Sequence, residues 1–107
     1  MKLMIAGAAA SMFAVMAVAT APQAVAGPEE NFLDAIDGVG IVWEPTDTPD
    51  VINTGRAVCT DWENGADFNR EVADLQSVTD WTDYQVGGFI GASTAAFCPE
   101  YKYLLPL

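Results

Sequence analysis

Thr48-Pro49-Asp50-Val51-Ile52-Asn53-Thr54-Gly55-Arg56-Ala57-Val58-Cys59-Thr60-Asp61-Trp62 is the stretch that decides the fold. Val51, Ile52, Gly55, Val58, Cys59 and Trp62 recur at offsets of 1, 4, 7, 8 and 11. That is one face of an α-helix. Thr48 reads as the N-cap, Pro49 as the first helical residue, and Asp50 follows. Asn64-Gly65 stops the helix. A helix with one apolar face needs partners, and the flanking sequence supplies them.

Upstream, Glu29 and Glu30 open a helix at the positive end of its dipole. Phe32, Leu33 and Ile36 form its stripe, and Gly38 and Gly40 end it. Ile41-Val42-Trp43 is a short apolar linker with no partner strand in sight, expected to lie over the core. Downstream, Asp67 caps a shorter third helix carrying Phe68, Val72 and Leu75. Thr82-Asp83-Tyr84-Gln85 is a capping box, with Trp81 and Val86 placed as a hydrophobic staple. The fourth helix buries Val86, Phe89, Ile90, Ser93 and Phe97, at offsets of 3, 4, 7 and 11, and Pro99 ends it. Gly87, Gly88 and Gly91 each cost this helix roughly 1 kcal/mol relative to Ala, so close packing against another backbone is expected there. The apolar tail Tyr101 to Leu107 is expected to fold back over the core. The fold class is all-α, a small bundle of about four short helices with one disulfide, preceded by a signal peptide.

Residues 1–26 carry the signal reading. Lys2 gives a positive start, an uncharged apolar run extends from Leu3 to Ala21, and Ala24-Val25-Ala26 forms a small-x-small cleavage site before Gly27. A cut near Ala21 is the alternative. A retained membrane anchor is the competing reading. The run is diluted by Ala, Gly, Ser and Thr, and no Lys/Arg stop-transfer cluster follows it. Residues 27–107 are then a single small helical domain, secreted or held in the cell envelope.

This mature segment keeps Arg56, Arg70 and Lys102 against all fifteen carboxylates, three minus fifteen, a formal charge of −12. Phosphate backbones and anionic lipid heads both need a basic face, so the charge argues strongly against nucleic acid and against adsorption to anionic lipid, and no stable membrane span is expected after cleavage. The charge otherwise serves solubility or a basic partner. Cys59 and Cys98 are the only cysteines, and in an exported chain such a pair most often forms a structural disulfide; a redox or metal pair is the alternative, with no C-x-x-C spacing or histidine to support it. Closing a loop of this length contributes roughly 4 kcal/mol in chain-entropy terms. A small domain buries a modest share of its surface and needs that contribution.

Three segments taken together are familiar: Phe32-Leu33 with Gly40-Ile41, then Gly55-Arg56-Ala57-Val58-Cys59, then Ala96-Phe97-Cys98-Pro99-Glu100. The chain resembles a secreted actinobacterial, largely mycobacterial family, domain of unknown function 732, over Phe32 to Tyr101. The resemblance implies a small exported helical domain with paired cysteines and no known reaction. Many relatives carry Asn-Pro-Gly where this chain has Val78-Thr79-Asp80, and a histidine where it has Tyr101.

The chain contains no histidine, which excludes the usual Ser-His-Asp and Cys-His arrangements and removes the commonest zinc ligand. No phosphate-binding glycine loop occurs. Asp61-Trp62-Glu63-Asn64-Gly65-Ala66-Asp67 superficially resembles a calcium loop, but its glycine is at the fifth position and Val72 stands at the twelfth, where glutamate is needed. No metal site, cofactor or catalytic residue is therefore expected. Arg56 beside the core face is expected to pair with an acid and tie helices together. Trp43, Trp62 and Trp81 are read first as core, with an exposed binding row as the alternative. Trp43, Trp62, Trp81 and Arg56 are thus the candidate binding surface. The expected function is a non-catalytic interaction module contacting an envelope or extracellular protein. The alternative is a carrier of a small apolar, lipid-like ligand.

Overall fold

The computed structural model describes residues 27–106, so the signal reading of residues 1–26 and the residue Leu107 lie outside the described residues. The element order is α1 (Pro28–Gly38), a 3₁₀ turn η1 (Pro45–Asp47), α2 (Thr48–Glu63), α3 (Phe68–Val78), α4 (Asp83–Phe97) and a second 3₁₀ segment η2 (Pro99–Leu104). The four-helix reading holds, and no strand occurs among the described residues.

The fourth helix is the hub, packing against α1, α2, α3 and η2. Its sequence suits a central position, being apolar nearly all round rather than along one stripe. The core is one cluster of Phe32, Ile36, Ile41, Val58, Cys59, Trp62, Leu75, Val86, Phe89, Ile90 and Cys98. The ring of Phe32 meets Phe89 edge-on at 5.4 Å and Phe97 at 5.1 Å. Ser93 and Thr94 are buried in the same helix, each turning its hydroxyl back to a carbonyl four residues earlier, Phe89 and Ile90 respectively. Those back-bonds use each hydroxyl's proton inside the helix, and the Thr94 oxygen stays free to accept from α2.

Cys59 and Cys98 are joined, staple α2 to the end of α4, and lie inside the core. Cys98 stands one residue past the last turn of α4, as its C-cap. The capping box is complete. Thr82 Oγ1 accepts from the Gln85 N–H at 3.1 Å, and Gln85 Oε1 accepts from the Thr82 N–H at 3.0 Å. The Gln85 amide also donates to Gly40 O, pinning the loop after α1. Gly40 there has φ +85°, a conformation that favours glycine. The tail folds back as expected, with Tyr101, Leu104 and Leu105 packed on the core.

Two local expectations change. Thr48 is not a side-chain cap. The η1 turn runs straight into α2, so the cap position falls on Asp47, which makes no side-chain cap bond. The Thr48 hydroxyl instead accepts the indole N–H of Trp43 at 3.0 Å. The glycines of α4 also divide. A Cβ at Gly88 would meet Val39 at 2.8 Å, but Gly87 and Gly91 face nothing within 4 Å. Close approach therefore explains Gly88 alone, against a side chain rather than a backbone.

Candidate functional site

Of the four residues read as a candidate surface, one is buried and three are partly exposed. Trp62 is buried at 3% exposure, and its indole N–H donates to Thr94 Oγ1 at 3.0 Å, which makes it a core tie between α2 and α4. Trp43 and Trp81 are half-buried, Trp43 over the α2 start and Trp81 against Phe89 at 5.0 Å. An exposed row of three tryptophans therefore does not form, because Trp62 is buried and the linker residues Trp43 and Trp81 are each half-buried against neighbouring side chains. Arg56 pairs with Glu29 at 2.6 Å, tying α2 to α1, and its guanidinium lies 4.5 Å from the centre of the Phe97 ring. Both charged partners are about half exposed, so the bond orients more than it stabilises.

The polar feature that sequence reasoning missed lies at the other end of α2. Asn64, Gly65 and Ala66 carry the chain from α2 to α3, and with Asp61, Arg70, Glu71 and Asp74 they line an open cleft of about 280 Å³. Asp61 reaches it from the last turn of α2. Asp67 caps α3 by accepting the Arg70 N–H at 2.9 Å, which sets the register that puts Glu71 and Asp74 one turn apart on the side facing α2. One carboxylate oxygen from each of Asp61, Glu71 and Asp74 lies within 4.8 Å of the other two.

Glu71 is the unusual member. It is 2% exposed, and its Oε2 is buried with no hydrogen-bond partner. Burial, then the hydrogen bond and the negative charge of Asp61, push its carboxyl up to about 8, with Asp74 adding to the rise and Arg70 opposing it. Arg70 does not quench the cluster. Its Nε stands 3.8 Å from Asp74 Oδ2, and both side chains are largely in solvent. The sequence did hold a signal. Phe68, Glu71, Val72 and Leu75 occupy one helical stripe, and an acid on an apolar stripe calls for a partner. Asp61 was noticed only as part of a contiguous loop, whereas its companions come from the next helix.

None of the helices among the described residues is long and apolar enough to cross a membrane. The molecule is thus a disulfide-stapled, strongly acidic all-α domain built around a central helix. The model of the family described as "Protein of unknown function (DUF732)" matches residues 28–100, and the chain belongs to that family. The match includes both cysteines, Arg56 and the three clustered acids. No curated protein and no solved structure matches the chain.

Proposed function

We propose that residues 27–107 form a non-catalytic interaction module, secreted or held in the cell envelope, that binds a basic protein partner through an acidic surface with exposed apolar side chains. The observation that carries this reading is the exposure of large apolar groups among carboxylates whose charge is scarcely neutralised. Val42, Tyr84, Val78 and Tyr103 stand 71–84% exposed. Val42 precedes Glu44, Tyr84 follows Asp80 and Asp83, and Val78 lies one turn from Asp74. Exposed apolar groups that lie together mark contact surfaces, and the sign of the surrounding charge selects the partner. The joined cysteines suit an oxidising compartment.

The apolar-carrier reading draws no support from the aromatic groups. Phe32, Phe89, Phe97 and Trp81 pack on one another, and Trp62 is spent on Thr94. The test is titration of purified residues 27–107 against fractionated envelope, read by tryptophan fluorescence. Trp43 beside Val42 is the natural reporter. Expected are saturable binding that weakens as salt rises and weakens again in Val42→Asp. Turnover of a wall glycan or ester that disappears on changing a single carboxylate would establish an enzyme instead. N-terminal sequencing of culture supernatant is expected to begin at Gly27. Recovery only in membranes with Met1 intact would overturn the export reading.

A further inference from the structure

We propose that Asp61, Glu71 and Asp74 form a binding site for a hard divalent cation of the calcium class. Three observations converge on it. The carboxylate oxygens come from two helices yet lie within 4.8 Å of one another. Ligand oxygens on a calcium ion sit about 2.3–2.6 Å from the metal, so no two of them stand more than about 5 Å apart. Glu71 Oε2 is buried without a partner, and a buried acceptor left unpaired is costly. A proton shared between Glu71 and Asp61 serves one Glu71 oxygen and leaves the other bare. A cation seated among the three acids gives the Glu71 carboxylate a partner and offsets most of the cluster's negative charge. The cleft is open, so water can complete the coordination, and Asn64 on its wall offers an amide oxygen.

The C-terminus of α2 ends at this cleft and the N-terminus of α3 begins there, so the two dipole ends oppose each other and the carboxylates set the local field. The donor set is all oxygen, which suits calcium rather than a metal that prefers nitrogen or sulfur. Magnesium holds its waters more tightly and demands regular octahedral geometry, so it is the weaker occupant. Arg70 is the residue in the way. It is exposed, and its 3.8 Å approach to Asp74 is a long one, so moving it aside would break no close ion pair. The groups facing Glu71 are Asp61 from α2 with Arg70 and Asp74 from α3. The remaining helix packed on α3 is α4, whose titratable side chains are Asp83 and Tyr84 at its start, Asp83 being held by Gln76 at 2.6 Å.

The site is not the contiguous calcium loop rejected from the sequence. It uses Asp61 from that segment and takes its other ligands from α3. Its deciding experiment is calorimetric titration and thermal unfolding of residues 27–107, first stripped with EDTA, then given calcium chloride. Magnesium chloride, and sodium chloride at matched ionic strength, are the comparison arms. Expected is saturable calcium binding with a dissociation constant on the order of 10⁻⁴–10⁻³ M, and a melting temperature that rises with calcium. Binding should tighten as pH rises, because a carboxylic acid must lose its proton before it can ligate. Glu71→Gln keeps the shape of the protonated acid, so it should fold at least as well in EDTA and lose the calcium response. Glu100→Gln, an equal charge change outside the cluster, should keep it. The proposal is overturned if calcium gives no heat of binding, if sodium chloride reproduces the melting shift, or if Glu71→Gln responds as the parent does.

Discussion

Gly55 lies beneath the ring of Phe32, so close that a Cβ built on it would stand 2.6 Å from the ring's Cζ. Phe32 cannot retreat, because it is fully buried and wedged between Phe89 and Phe97. The contact sets how near α2 comes to α1. Gly55→Ala is therefore expected to cost about 1–3 kcal/mol by overpacking. Gly87→Ala should instead gain about 0.5–1 kcal/mol, since its Cβ meets nothing within 4 Å and alanine is the better helix former. Chemical denaturation of the two variants side by side checks both signs. Equal effects at the two positions would refute the packing argument.

The bond between Trp62 and Thr94 gives a second prediction. Thr94→Val keeps the volume but leaves the buried indole N–H of Trp62 without its acceptor. The expected cost is about 1–3 kcal/mol, with a shifted tryptophan emission in the folded state. A neutral Thr94→Val would mean that the N–H finds another acceptor.

Removing the disulfide should cost roughly 2–5 kcal/mol in Cys98→Ala. Native protein should resist alkylation, and reduction should add the mass of two hydrogens. A freely alkylatable pair of thiols in the folded protein would contradict the pairing.

Glu71 sets a pH dependence whose sign can be worked out. Burial and the neighbouring Asp61 push its carboxyl up to about 8, from an ordinary value of 4.5. Between those values the folded state holds a proton that the unfolded state has released. Stability from this group is therefore greatest at the acid end and falls as pH rises, by an amount on the order of a few kcal/mol across the window. Denaturant midpoints taken in EDTA at pH 5, 6.5 and 8 should decline for the parent chain. They should decline less in Glu71→Gln, which is expected to be the more stable of the two at pH 8. Parallel profiles would show that Glu71 is ionised throughout.

Arg56 and Glu29 should couple weakly. A double-mutant cycle to alanine is expected to give about 0.2–1 kcal/mol, as for other exposed pairs. Arg56→Ala alone should cost somewhat more than Glu29→Ala, because the guanidinium also covers the Phe97 ring. Thermal melts of the four proteins measure the cycle.

Local chemistry made most of the fold readable. The α2 stripe, the Thr82–Gln85 capping box, the Asp67 cap and the pair of cysteines each carry their own physical signature, and each appears in place. What escaped depends on where helices meet. Thr48 looked like a cap because its own neighbours permit it, but Trp43 five residues away claims its hydroxyl. Gly87, Gly88 and Gly91 are alike in sequence and differ only in what stands opposite them. The acidic cleft was hidden for the same reason. Asp61 and Glu71 are ten positions apart, and only the turn at Asn64-Gly65 brings them together. Gly65, with φ +92°, makes that turn feasible.

The linkage between Cys59 and Cys98 also governs how the domain bears load. A pull applied between Gly27 and Leu107 passes through the sulfur bridge and bypasses the 39-residue separation between the cysteines. The chain can then be drawn out to roughly 140 Å rather than roughly 280 Å. All of α3 and α4 lies within the shielded loop, as do Asp61, Glu71 and Asp74. Tension would strip away α1 and most of α2 while leaving those acids on a covalently closed segment.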